Sequence, residues 1–187
     1  GTEAYVLNEE TGEYEELQGL INPAAAEYFE SQYMRLQKLL SEVDGLQLQE
    51  LKNQSKYKMS AWKNPATKLS NEEIVTGLYA KLDEYGIEPE DLSITVSMQG
   101  KLAVDFTPEG ATKGNAIQFI ARYYNVPLSD VIFAGDSSND TDGMAVKGIN
   151  RILPNNAQDV LVKAVERIAE NEKRPASYYI APENRNC

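Results

Sequence analysis

Val131-Ile132-Phe133-Ala134 sets four apolar residues in a row, and Gly135-Asp136-Ser137-Ser138-Asn139-Asp140 follows without a spacer. A strand with one wet face would alternate, so this run predicts a strand of a parallel sheet covered on both faces. Its neighbours agree. Thr112 is placed to cap a helix carrying Ile117, Ile120 and Tyr124, which Asn125 ends. After the loop come a short helix over 140–146, a strand over 149–153, and a helix bearing Val160, Leu161, Ala164, Val165 and Ile168. Strand and helix in alternation specify an α/β fold.

Before residue 107 the pattern is different. Tyr5 and Val6, the turn Asn8-Glu9-Glu10-Thr11-Gly12, and 14–17 read as a hairpin. Asn22-Pro23 opens a helix with Phe29, Tyr33, Leu36, Leu40 and Val43 at helical spacing, stopped by Asp44-Gly45. Over 55–62, Tyr57, Met59 and Ala61 alternate with Lys56, Lys58, Ser60 and Trp62, predicting a half-buried strand with an open cationic face. Ser70-Asn71-Glu72-Glu73 is a capping box with Leu69 and Ile74 as a hydrophobic staple, and Leu78 and Leu82 continue the stripe to Gly86. Leu92, Ile94, Val96 and Met98 alternate with polar residues, and the alternation resumes at Leu102, Val104 and Phe106 after Gly100-Lys101. That is a hairpin, and the whole is an α+β layer. Thr107-Pro108-Glu109-Gly110 marks the change of pattern.

Composition narrows the function. A net charge of -11 argues against nucleic acid, whose affinity is built from Lys and Arg. With no histidine, neutral-pH proton shuttling and zinc ligation lose their commonest side chain, so chemistry must run on carboxylates, lysines and oxygen-bound metal. No apolar stretch approaches the roughly 18 residues of a membrane span. The single cysteine, Cys187, excludes an internal disulfide framework and points to a reducing, cytoplasmic setting.

In open α/β sheets ligands gather beyond the carboxyl ends of strands, where the loop 135–140 stands. A phosphate dianion beside a divalent cation needs hard oxygen ligands for the metal and a positive charge for the phosphoryl oxygens. Asp136 and Asp140 supply the first and Lys113 the second. Lys113 stands in the first turn of a helix, against the helix dipole, a conflict worth roughly 0.3–1 kcal/mol that a bound anion relieves. The plainer alternatives are that Asp136, Ser137 and Asn139 are turn and capping residues and that Lys113 is a solvated surface lysine.

Lys113-Gly114-Asn115-Ala116 with Gly135-Asp136-Ser137-Ser138-Asn139-Asp140 resembles the third and fourth motifs of the haloacid dehalogenase (HAD) phosphatases. The stretch from Gly100-Lys101 through Asp105-Phe106-Thr107-Pro108 resembles the sucrose-phosphate phosphatase branch, as do Gly1-Thr2-Glu3-Ala4-Tyr5 and Tyr57-Lys58-Met59-Ser60. The resemblance implies a Rossmann-like parallel-sheet core, here partial, with an inserted α+β cap. Residues 1–13 would be a core segment entering the cap, 14–106 the cap, and 107–187 the rest of the core. It implies Mg²⁺-dependent hydrolysis of a sugar phosphate through an aspartyl-phosphate. Asp136 would ligate the metal, Asp140 would hold it and its waters, and Lys113 would neutralise phosphoryl charge. Asn139 and Ser137 would brace the loop. Glu3, Lys58, Lys101 and Asn139 would contact substrate, with core or hinge packing for Trp62.

The family's nucleophilic Asp-x-Asp lies upstream of the Gly-Thr-Glu segment with which this chain begins, and 179–187 read as the approach to a final helix. The chain is therefore expected to be a piece of a longer phosphatase, with the missing N-terminal segment as its partner. Alone it would bind metal weakly and turn over nothing. The rival expectation is a non-catalytic phosphatase-like module, as in the extension of some sucrose-phosphate synthases. A third, an unrelated flavodoxin-like acidic-loop protein, would require the Lys113 match to be accidental.

Overall fold

The computed structural model describes residues 2–97 and 101–182, in two compact units, 2–111 and 112–182. The turn of the second predicted hairpin, 98–100, and residues 183–187 lie outside the described residues. The division falls at 111/112 rather than 106/107, and residues 2–13 group with the first unit because they pair within it.

In the first unit, β1 (Tyr5–Leu7) and β2 (Tyr14–Glu16) form the N-terminal hairpin, with Tyr5 opposite Glu16. Helix α1 (Pro23–Glu42) starts where the capping signal put it: Asn22 Oδ1 accepts the Ala24 N–H at 2.9 Å. Strands β3 (Leu46–Leu48), β4 (Met59–Lys63), β5 (Leu92–Ser97) and β6 (Ala103–Pro108) make an antiparallel sheet in the order β3-β4-β6-β5. Val96 stands opposite Val104, the register the two alternating runs require. Helix α2 (Asn71–Glu84) carries both halves of its capping box, Glu73 N–H to Ser70 Oγ at 3.2 Å and Ser70 N–H to Glu73 Oε2 at 2.7 Å.

The helices lay Phe29, Leu36, Leu40, Ile74, Leu78 and Leu82 on Met59, Leu92, Val104 and Phe106, all nearly inaccessible to solvent. Fully burying each such side chain is worth about 1.5–3 kcal/mol. Gly45, at φ +85°, lets the chain turn out of α1, and a Cβ there would lie 2.9 Å from Ile74 Cδ1.

The strand expected over 55–62 runs instead over 59–63, and its polar face is closed at Ser60 while Lys56 is exposed and Lys58 partly exposed. Ser60 is fully buried: Gln54 Nε2 donates to the Ser60 carbonyl at 2.8 Å, and the Ser60 hydroxyl donates to Asp105 Oδ1 at 2.5 Å. Strand β3 has only three residues, too few to show a period.

The second unit holds α3 (Lys113–Tyr123), β7 (Ile132–Ala134), α4 (Thr141–Met144), β8 (Asn150–Leu153), α5 (Asp159–Asn171) and β9 (Tyr178–Ile180). Its three strands are parallel in the order β7-β8-β9, with Phe133 beside Arg151 and Ile152 beside Tyr179. The stretch from 179 thus starts inside β9, and its continuation over 183–187, where the approach to a helix was expected, lies outside the described residues. The two-sided cover expected for 131–134 is also absent: β7 pairs only with β8 among the described residues, and Ile132 is 64% exposed. The expected stripe of α3 is likewise open, with Ile120 at 43% and Tyr124 at 58% exposure.

Met144, Leu153, Leu161 and Val165 form the core of this unit. Beside them lies a fully buried cation. Arg151 donates through Nε to the Met144 carbonyl at 2.6 Å, through Nη1 to Ser177 Oγ at 3.0 Å, and through Nη2 to the Val146 carbonyl at 3.0 Å and Glu172 Oε1 at 2.8 Å. A buried charge needs this degree of pairing.

Among the described residues no helix is long and apolar enough to cross a membrane.

Candidate active site

The end of β7 runs straight into the acidic loop, and Gly135 is the reason the loop can fold back. A Cβ at Gly135 would sit 2.7 Å from both Cβ and Cγ of Asp140. With no side chain there, the Asp140 carboxylate tucks under the loop, and its Oδ2 accepts the backbone N–H of Asp136 at 3.0 Å and of Ser137 at 3.1 Å. Ser137 Oγ donates to Asn139 Oδ1 at 2.6 Å.

Lys113 comes to this loop from the first turn of α3. Thr112 Oγ1 caps that helix by accepting the Asn115 N–H at 3.2 Å. The Lys113 ammonium is ion-paired with Asp140 Oδ1 and donates to Asn139 Oδ1 at 3.3 Å. Asp140 retains only 9% side-chain exposure and Lys113 retains 38%. Burial acts to raise the Asp140 carboxyl, but the Lys113 hydrogen bond, the Ser137 and Asp136 amides and the Lys113 charge together outweigh it. The group is held below the ordinary aspartate value.

Asp136 contrasts with its neighbour. It is exposed at the strand tip, and its carboxylate has no hydrogen-bond or ion-pair partner among the described residues. Asp140 braces the loop while Asp136 presents free hard-oxygen donors. No group of three or more acidic or sulfur ligands converges among the described residues. The donor set nevertheless fits Mg²⁺, which is commonly held by one or two carboxylates, with substrate phosphate and water filling the rest.

Four of the predicted site residues, Lys113, Asp136, Asn139 and Asp140, thus share one site in the second unit. Glu3, Lys58 and Lys101 lie in the first unit, each with partners of its own. Lys58 Nζ is 3.4 Å from Asp105 Oδ1, and Lys101 Nζ sits 3.7 Å over the ring of Trp62. Glu3 Oε2 accepts the Tyr5 hydroxyl at 3.5 Å and lines a cavity of about 280 Å³ with Glu16, Gln18, Glu30 and Tyr57.

Two contacts at the site have no counterpart in the sequence reading. Asp142 Oδ2 accepts the Gly114 N–H at 2.9 Å at the start of α3, and Gln158 reaches the loop from α5. An acid two residues past Asp140 at a helix start is a faint signal for the first. Nothing in the pattern marks the second.

Residues 22–185 match the model of the family described as sucrose-6F-phosphate phosphohydrolase. A putative HAD-like hydrolase of Nitrosococcus oceani is 34% identical over 135 residues, covering 71% of this chain and 35% of that protein. Among solved structures, the sucrose-phosphatase of Synechocystis sp. PCC6803, in complex with sucrose and phosphate, aligns with a TM-score of 0.60. It is 22% identical, with 90% of this chain and 64% of that one covered. A haloacid dehalogenase-like hydrolase from Bacteroides thetaiotaomicron gives 0.53 at 14% identity, covering 95% and 67%. At such identities the solved structures show a common fold, HAD-like α/β. This chain spans about a third of the curated relative's length and under two thirds of the Synechocystis protein's. Because the family match takes in nearly everything from α1 onward, the chain belongs to the sucrose-6F-phosphate phosphohydrolase family, in the sucrose-phosphatase-like branch of the HAD hydrolases.

Proposed function

We propose that this chain is the cap and the Lys113–Asp136–Asp140 portion of a Mg²⁺-dependent phosphatase acting on a small sugar phosphate of the sucrose 6-phosphate type in the cytoplasm. One observation carries the reading: Lys113 is seated on the same loop that leaves the Asp136 carboxylate free. A lysine at a helix start and an open carboxylate at a strand tip offer complementary charges to a phosphate and its metal.

In this reading Asp136 would ligate the metal directly. Asp140 would fix the loop and the Lys113 ammonium, with a lone pair of Oδ1 left for the metal or its water. Bound there, Mg²⁺ would neutralise phosphoryl charge. Lys113, partly exposed and already oriented, would carry the remaining positive charge to the phosphoryl oxygens. The attacking Asp would be supplied by the longer protein. The edge of β7 that is unpaired among the described residues supports this, since a parallel strand there would lie next to Asp136. Sugar hydroxyls would be met in the first unit by groups such as Glu3, Lys58 and Lys101.

The test is phosphate release from sucrose 6-phosphate and a panel of sugar phosphates, by this chain and by the longer protein, with Mg²⁺ and with EDTA. The proposal expects Mg²⁺-dependent turnover by the longer protein and none by this chain. Binding of sugar phosphates without hydrolysis by the longer protein would instead mark a non-catalytic module.

A further inference from the structure

Gln158 occupies the N-cap position of α5, where a side chain ordinarily accepts an N–H of its own helix, but it makes no such cap. Its Oε1 turns to the acidic loop and accepts the Ser138 N–H at 2.7 Å, while its backbone N–H donates to the Asp136 carbonyl at 2.8 Å. One residue therefore grips the loop on both sides of Ser137.

The three amides that precede Ser138 in the turn are also held. Gly135 N–H donates to the Ile152 carbonyl at 3.2 Å, and Asp140 takes the Asp136 and Ser137 amides from beneath. Of these four amides, that of Ser138 is the one that depends on a side chain from another element. That element is packed into the unit: α5 buries Leu161, Val165 and Ala169.

We infer that Gln158 is a positioning residue for Asp136: anchored on α5, it fixes the loop backbone so that the free carboxylate is presented in one orientation. The inference rests on the phosphatase reading only for what Asp136 then does. The tether itself follows from the two hydrogen bonds.

The test compares this chain with Gln158→Met, which keeps length but loses the acceptor, and Gln158→Glu, which keeps the acceptor. Backbone ¹⁵N order parameters for residues 136–138 should be about 0.85 in the wild type and in Gln158→Glu, and below about 0.6 in Gln158→Met. Protection of the Ser138 amide from exchange should be lost only in Gln158→Met. Mn²⁺ broadening centred on Asp136 should need about tenfold more metal in Gln158→Met, the lower end of the effect of residues that orient a ligand. A folded Gln158→Met chain with an unchanged loop would overturn the inference. Should that variant not fold, an unprotected Ser138 amide in the wild type would overturn it equally. Absence of Mn²⁺ broadening in the wild type would count against the phosphatase reading, while the order parameters still decide the tether.

Discussion

Lys113 and Asp140, 27 residues apart, meet as an ion pair in which the aspartate is nearly buried and the lysine partly exposed. The pair joins the start of α3 to the loop after β7 and sets the site's cation beside its buried carboxylate. Asp140 also holds the loop, so its loss should be felt beyond the pair.

Replacing Lys113 by Met leaves the Asp140 carboxylate buried without its cation. Thermal or urea denaturation should show a loss of about 1–3 kcal/mol at neutral pH, the cost of stranding a buried acceptor. Asp140→Asn keeps the size but adds donors facing backbone N–H groups, and should cost a similar amount.

The same pair predicts a pH dependence. The Asp140 carboxyl is lowered in the folded chain. Its contribution is therefore fully present above the unfolded value of about 3.9 and is lost as pH falls through the lower folded value. Acid titration of stability should show the wild type losing this contribution below about pH 4. Lys113→Met should lose less stability over that interval, because less of it is present to lose.

Glycines give a paired test. Gly135→Ala would drive a Cβ to 2.7 Å from Asp140, whereas Gly77, inside α2, has nothing within 4 Å of its Cβ position. Gly135→Ala should destabilise by about 1–3 kcal/mol and displace Lys113. Gly77→Ala should stabilise by about 0.5–1 kcal/mol. Melts of the two variants check the signs.

Arg151 makes a third case. Arg151→Met or Glu172→Gln should destabilise the second unit, the latter by about 3–5 kcal/mol, because removing one partner of a buried pair strands the other. The amides of 144–151 should lose exchange protection first, since Arg151 holds the Met144 and Val146 carbonyls.

What the sequence made legible was whatever repeats or caps locally. The Asn22-Pro23 start, the Ser70–Glu73 capping box, and the alternation on both sides of residues 98–100 each state their structure within a few residues, and the structure has them. The pairing of Lys113 with the acidic loop was legible as a motif. The exposure of Ile132 and Ile120 was not, because periodicity reports which residues are apolar and not whether a neighbour arrives to cover them. Ser60 was misread because its hydroxyl is taken up by Asp105, its partner on the neighbouring strand, which lies 45 residues away in the chain. Gln158 and Arg151 act through contacts with residues distant in the chain, and neither belongs to a repeating pattern.

The most direct test of the account is the rate of phosphate release from sucrose 6-phosphate by the longer protein at saturating Mg²⁺, wild type against Asp136→Asn. Asparagine keeps the volume of the side chain and removes the free carboxylate. The account predicts a fall of at least about a hundredfold, the scale on which loss of one charge-stabilising group acts. Wild-type turnover by Asp136→Asn would contradict it.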